Sequence, residues 1–84
     1  MHTSPFDLLF AVFSAVLGVT PHQYLVRTRL RRAAKLLANA DMPVTEVALQ
    51  SGFADLSNFV RTFRRAAGMP PGKFSKFLQD RRAR

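Results

Sequence analysis

The residues that could do chemistry are concentrated in the segment GFADLSNFVRTFRR, residues 52–65. Its polar side chains are mostly cations and neutral hydrogen-bonding groups: Ser57, Asn58, Arg61, Arg64 and Arg65. It contains one acid, Asp55. A solvated helix surface ordinarily mixes Glu with Lys, whereas this surface offers hydrogen-bond donors and positive charge. The pattern favours an anionic partner, and the alternative is a basic helix face that contacts only water.

Helical periodicity separates these polar residues from an apolar stripe. At about 100° per residue, Phe59, Val60 and Phe63 fall on one side, where they predict the core. Arg61, Asn58 and Arg65 fall opposite this stripe, with Ser57 and Arg64 on a flank. An Arg side chain can donate two hydrogen bonds to guanine, and Asn can pair with adenine in the same bidentate way. The outer side of this helix is therefore suited to contact DNA bases.

A second, shorter helix precedes this one and would position it. Val44 to Gln50 predicts a helix that ends at Ser51-Gly52, and Asp55 is a suitable cap for a helix from Leu56 to Ala67. The small Ala48 permits close approach of the two helices, and Gly52 permits a sharp corner. Residues 44–67 therefore predict a helix-turn-helix.

The remaining helices follow from start and stop signals. Ser4-Pro5 and Gly18 bound a helix over residues 5–17, and the capping box from Thr20 to Gln23 begins a long helix over residues 21–39. Pro70-Pro71 begins a last helix over residues 71–80. No segment predicts a strand. We expect an all-α fold of five helices that forms a single domain over residues 1–84.

Composition limits the class of function. The 84 residues carry a formal charge of +8, and every Lys and Arg lies between Arg27 and Arg84. Such a charge implies nucleic acid or an anionic membrane surface as a partner. Cysteine is absent, and His2 lies far from His22 in the sequence, so we expect no metal site. The five scattered acids form no catalytic set, so we expect no enzyme activity and no cofactor.

The first quarter of the chain is apolar and uncharged apart from Asp7. FDLLFAVFSAVLGV spans about 14 residues, short of the roughly 20 that cross a bilayer. We therefore expect a buried or partner-facing helix and no membrane partner. A basic amphipathic domain that lies on anionic membranes is the alternative. The absence of cysteine fits a cytoplasmic protein.

Four motifs together resemble the C-terminal DNA-binding domain of the AraC/XylS family of bacterial transcription regulators. They are GVTPHQYL, RLRRAAKLL, EVALQSGF and NFVRTFRRAAGMPP, within a match from about Leu9 to Leu78. The resemblance implies two homeodomain-like helix-turn-helix units joined by a long linker helix, residues 21–39. It also implies that each unit enters one of two successive major grooves. Residues 44–67 would be the second, intact unit.

The resemblance implies site residues and partners. The base-contacting positions would be Leu56, Ser57, Asn58 and Arg61. The helical wheel places Leu56 at the edge of the core, although a Leu there could also meet a thymine methyl group. Candidates for phosphate contacts are Arg27, Arg29, Arg31, Thr62, Arg64, Arg65 and Lys73. The expected partners are double-stranded DNA and, at promoters, RNA polymerase, in sequence-specific regulation of bacterial transcription.

The resemblance fails at the first unit. Residues 5–17 correspond to a remnant of its recognition helix. Ala11 and Ser14 stand where members of the family carry basic residues. One additional residue lies between Ser4 and Phe13. We expect this helix not to bind DNA.

The same helix would leave an apolar patch open to self-association or docking through residues 6–17. The patch is formed by Phe6, Leu9, Phe10, Phe13 and Val16. The alternative function is a truncated regulator that acts through this association, with weak or no specific DNA binding. The alternative explanation of the patch is that the chain is a fragment and the exposed surface an artefact.

Overall fold

The fold consists of five helices. The computed structural model describes residues 5–39 and 41–82, without the side chain of Phe6. The helices are α1 (Pro5–Val12, continued by a π-helical turn over Phe13–Leu17), α2 (Pro21–Leu37), α3 (Val44–Gln50), α4 (Leu56–Ala67) and α5 (Pro71–Arg82). No strand occurs in the described ranges. The all-α prediction with five helices is confirmed.

The capping box predicted at the start of α2 is present. The Gln23 amide donates to Thr20 Oγ1 at 3.1 Å, and the Thr20 amide donates to Gln23 Oε1 at 3.0 Å. Pro21 follows at the first helical position, where its missing N–H costs nothing. The helix ends at Leu37 rather than at the predicted Asn39, because the last amides turn back by three residues instead of four. Ala38 bonds to the Lys35 carbonyl and Asn39 to the Leu36 carbonyl.

The first helix differs from the regular α-helix expected over residues 5–17. Its last turn, Phe13–Leu17, is π-helical. A π-helical turn has hydrogen bonds from i to i+5 and so holds one residue more than an α-helical turn. The additional residue was expected between Ser4 and Phe13, before this turn, and stays a prediction. Gly18 then ends the helix in the left-handed conformation at φ 70°. The cap predicted at Ser4 lies outside the described residues.

The core lies where α2, α3 and α4 meet. Its buried members are Ala33, Leu37, Val47, Ala48, Phe53, Phe59 and Phe63. Phe53 contacts Phe59 with ring centroids 5.0 Å apart, Phe59 contacts Phe63 at 5.7 Å, and Phe63 contacts Phe74 of α5 at 5.3 Å. Val60 was expected in this stripe but is only half-buried and lines the outer surface of α4. The aromatic chain therefore holds α4 through two side chains, Phe59 and Phe63.

The C-terminal end of α2 is held by α5. Ser75 Oγ donates to the Leu37 carbonyl at 2.8 Å, and Arg82 Nη1 donates to the Ala38 carbonyl at 3.1 Å. The last carbonyls of a helix have no partner within the helix, so such contacts satisfy groups that would otherwise need water. They also complement the negative end of the helix dipole.

The first helix is attached to the rest by a small contact. Phe13 packs edge to face on Tyr24 at 5.3 Å between centroids, and most of the other apolar side chains of α1 are exposed. Among the described residues, no single helix has the length and apolar composition to cross a membrane. Two helical segments have this length and composition only when they are taken together, and they are bent by 64° relative to each other: Asp7–Leu17 and Pro21–Leu37.

The corner between α3 and α4 depends on Gly52. It follows the cap residue Ser51 at φ 90°, its amide bonds to the Leu49 carbonyl at 3.1 Å, and the Phe53 amide bonds to the Ala48 carbonyl at 3.0 Å. These two bonds form a Schellman motif, which places a left-handed residue directly after the cap. A Cβ at Gly52 would also lie 3.1 Å from Arg29 Nε.

We expect Gly52→Ala to lower the free energy of unfolding by about 1–3 kcal/mol, the cost of a left-handed non-glycine residue. Gly72→Ala is the matched control, since a Cβ there meets no atom within 4 Å and the residue lies in the first turn of α5. That change should be neutral or stabilising by up to about 1 kcal/mol. Urea unfolding of both variants measures the difference. Equal stabilities would show that the turn tolerates a side chain.

Candidate nucleic-acid interface

Helix α4 is fixed at both ends and along its inner side. Asp55 Oδ1 accepts a 2.7 Å hydrogen bond from the Asn58 amide, so the predicted cap is confirmed. Gly68 ends the helix at φ 80°. Since Phe59 and Phe63 are buried, the rotation of α4 about its axis is set, and the residues opposite them face solvent.

The outer side of α4 forms one open, concave surface, which we call the recognition face. It has a volume of about 720 Å³ and is lined by Leu56, Ser57, Val60, Arg61, Arg64 and Arg65. None of these residues is acidic. Within the described part of the chain, the three arginines make no hydrogen bond or ion pair with protein groups. Their donors are therefore available to an external acceptor.

A second surface lies between α2 and α4 and is called here the α2–α4 cleft. It has a volume of about 600 Å³ and is lined by His22, Gln23, Val26, Arg27, Arg29, Leu30, Phe53, Asn58, Thr62, Arg65 and Ala66. Asn58 is half-buried there, and its Oδ1 accepts a 3.4 Å hydrogen bond from Thr62 Oγ1. Three of the lining residues are arginines and none is acidic, so this cleft is also suited to an anion.

The four residues predicted to contact bases are thus divided between two surfaces. Leu56, Ser57 and Arg61 share the recognition face, and Leu56 is 41% exposed rather than part of the core. Asn58 lies in the α2–α4 cleft. Arg65 borders both surfaces. The helical wheel did not separate Asn58 from Arg61, because it contains no information about the neighbouring helix.

The residues predicted to contact phosphates are distributed around the molecule. Arg27, Thr62 and Arg65 line the α2–α4 cleft, and Arg64 lies on the recognition face. Lys73 is exposed in the first turn of α5.

Two other arginines of α2 differ in their surroundings. Arg29 also lines the α2–α4 cleft, but it is half-buried and approaches Gly52. Arg31 lies beside Tyr24 and Lys35 on α2 and also borders a pocket that contains Phe63 of α4.

Arg32 has a structural role that the sequence did not indicate. Its Nε donates a 3.0 Å hydrogen bond to the Gln50 carbonyl at the end of α3. This bond joins α2 to α3 and satisfies a carbonyl at the C-terminus of a helix, where positive charge is favourable.

The apolar residues predicted to associate lie on α1. Phe10 is 50% exposed and Val16 is 74% exposed, and Leu9 is also exposed. Phe13 is half-buried because it packs on Tyr24. The side chain of Phe6 lies outside the described residues.

Comparison with known proteins identifies the family. A protein-family model described as a helix-turn-helix domain, of the AraC type, matches residues 2–76. The chain belongs to the AraC-type helix-turn-helix family of transcription regulators. The recognition face lies on α4, the second helix of the pair joined by the Gly52 corner.

Two relatives illustrate the membership. The probable transcriptional regulator LumQ of Photobacterium leiognathi is 40% identical over 70 residues, which cover 83% of this chain and 28% of LumQ. The melibiose operon regulatory protein of Escherichia coli K12 is 34% identical over 71 residues, which cover 84% of this chain and 24% of that protein. The chain therefore matches about a quarter of the length of these relatives.

A solved structure supports the fold. The DNA-binding domain of AdpA, determined in complex with a target DNA, superposes with a TM-score of 0.83 at 31% identity. The match covers 89% of this chain and 68% of the AdpA chain.

We expect Asp55→Ala to destabilise the protein by about 1 kcal/mol and to weaken DNA binding, since the cap fixes the turn that carries Leu56 and Ser57. Asp55→Asn is the matched control, because it removes the same charge but Asn caps equally well. Urea unfolding and a fluorescence titration with duplex DNA provide the two measurements. Equal losses of stability and of DNA affinity in Asp55→Ala and Asp55→Asn would show that the effect comes from the lost charge and not from the lost cap.

Proposed function

We propose that this chain binds double-stranded DNA sequence-specifically by inserting α4 into a major groove. The observation that carries the proposal is the recognition face, which is open and cationic and whose arginines have no protein partner among the described residues. The major groove is about 12 Å wide and admits an α-helix. Membership of the AraC-type family supports this function in bacterial transcription, and a protein with this function would act in the cytoplasm.

In this proposal Arg61 is the principal base-contacting residue. It lies in the middle of the recognition face, where its guanidinium can donate two hydrogen bonds to guanine O6 and N7. Ser57 lies one turn earlier on the same side and can bond to any base edge. Asn58 contacts DNA from the border of the α2–α4 cleft through its side-chain Nδ2. This nitrogen remains a donor because the hydrogen bond with Thr62 uses Oδ1.

The other cations bind the phosphate backbone. Arg27, Arg65 and Thr62 would hold phosphates in the α2–α4 cleft, where no acid competes for them. Arg64 flanks the recognition face, and Lys73 stands at the N-terminus of α5, a place where backbone amides also favour anions. Arg29 and Arg31 add to the general attraction. These contacts fix the register on the duplex without contributing sequence preference.

We expect Arg61→Ala to lower affinity for the preferred sequence about 5- to 100-fold and to relax the preference at one base pair. Lys73→Ala is the contrasting variant, because loss of a phosphate contact should weaken binding about equally on all duplexes and reduce the salt slope by roughly one. Selection from a random pool of oligonucleotides, followed by titrations at several salt concentrations, measures both effects. An unchanged preference in Arg61→Ala would mean that α4 is oriented differently on DNA.

A second proposal concerns association of two copies through α1. Its exposed residues Phe10 and Val16 form part of an apolar surface, and the chain carries no Lys or Arg before Arg27. Two chains of charge +8 repel each other overall, so the ends that carry no Lys or Arg are where copies can meet. Contact with RNA polymerase remains a prediction from the family resemblance.

We expect the protein to sediment as a species heavier than 9.4 kDa at tens of micromolar. Val16→Asp should shift it to the monomer, because a carboxylate cannot be buried in an apolar contact without a partner. Leu49→Asp is the matched control, since Leu49 is an exposed apolar residue on α3 and the charge change is the same. A monomeric wild-type protein would contradict the proposal, as would equal effects of the two variants.

A further inference from the structure

Two apolar side chains lie on the recognition face among its polar groups. Leu56 and Val60 are separated by one helical turn, about 6 Å along the axis, and both line the same concave surface as Arg61. Leu56 is 41% exposed, and Val60 is half-buried instead of belonging to the core. The core residues of α4 are Phe59 and Phe63. The pair therefore forms an apolar strip that the fold itself does not need to cover.

The major groove offers one apolar group to such a strip. The C5-methyl group of thymine is the one alkyl group on the major-groove edges of the four standard bases, and 5-methylcytosine places a methyl group at the same position. The other edges present donors and acceptors, which an apolar strip would leave unsatisfied. Leu56 and Val60 thus favour a methylated pyrimidine over any other base.

We propose that Leu56 and Val60 form a methyl-binding site for a pyrimidine in the base pair next to the guanine bound by Arg61. This inference rests on the proposed function of α4. The midpoint between Leu56 and Val60 lies three residues, or about 4.5 Å along the helix axis, before Arg61, which is close to the 3.4 Å spacing of stacked bases. The apolar strip and the Arg61 guanidinium share one surface and can therefore contact neighbouring base pairs. Val60 becomes a specificity-determining residue, and the preferred site contains a thymine adjacent to that guanine.

The same geometry makes binding sensitive to cytosine methylation. Replacing the thymine by cytosine removes the methyl group and exchanges the O4 acceptor for an N4 donor. Methylation of that cytosine restores the methyl group alone. We expect cytosine to weaken binding at this position and 5-methylcytosine to recover part of the loss.

The test removes the methyl group from DNA. After selection of the preferred site from a random pool, each thymine is replaced singly by deoxyuridine and the affinity of the whole chain is titrated. We expect a loss of about fourfold at the thymine beside the guanine, the factor for one buried methyl group, and almost none elsewhere. The Arg61→Ala variant identifies which guanine is meant, since it relaxes the preference there.

Variants then locate the site on the protein. In Leu56→Ala and in Val60→Thr, which nearly keeps the shape of valine, the deoxyuridine effect should fall below about twofold. Leu25→Ala is the control, because Leu25 is 44% exposed on α2 and lies outside the recognition face, so the full effect should remain. Urea unfolding confirms that each variant is folded.

Three results would overturn the inference while the proposed function stands. They are a selected site without a thymine or other methylated pyrimidine beside the guanine, a wild-type protein indifferent to deoxyuridine, and an undiminished deoxyuridine effect in both variants. A protein with no sequence preference at all would instead refute the proposed function, and the methyl-binding site with it.

Discussion

The orientation of α4 depends on a chain of four phenylalanine rings. Phe53 comes from the turn, Phe59 and Phe63 from α4, and Phe74 from α5, with successive centroids 5.0, 5.7 and 5.3 Å apart. Aromatic contacts at these distances stabilise the fold beyond the burial of their area. Because Phe59 and Phe63 occupy consecutive turns of one side of α4, the opposite side is presented to solvent. A small domain with a thin core needs such contacts.

The positive charge of the chain serves two purposes. Arg32 and Arg82 donate hydrogen bonds to the carbonyls of Gln50 and Ala38 at the ends of α3 and α2. These cations hold helices together. The arginines of the recognition face, in contrast, have no protein partner among the described residues. The formal net charge therefore overstates the positive charge that is available to contact DNA. Which protein groups each arginine contacts is the more informative observation.

Local signals in the sequence predicted the helices well, whereas the surroundings of single side chains were less predictable. The capping box at Thr20, the cap at Asp55 and the glycine corner at Gly52 depend on residues three to five positions apart, and all are confirmed. Val60 and Asn58 were placed by periodicity alone, which describes an isolated helix. The environment of Asn58 depends on α2, more than twenty residues away in sequence, and the exposure of Val60 depends on the ring packing that fixes the rotation of α4. The π-helical turn over Phe13–Leu17 was not predicted from the sequence.

The edge contact between Phe13 and Tyr24 has an energetic consequence for α1. A helix joined to its neighbour mainly through one ring pair gains little from tertiary packing, and isolated helices of this length are marginal in water. Helices α2 to α5 share one core and open together, but α1 can unwind on its own at a small fraction of that free energy. Its order is therefore coupled to whatever surface it meets, so that assembly would also complete its folding.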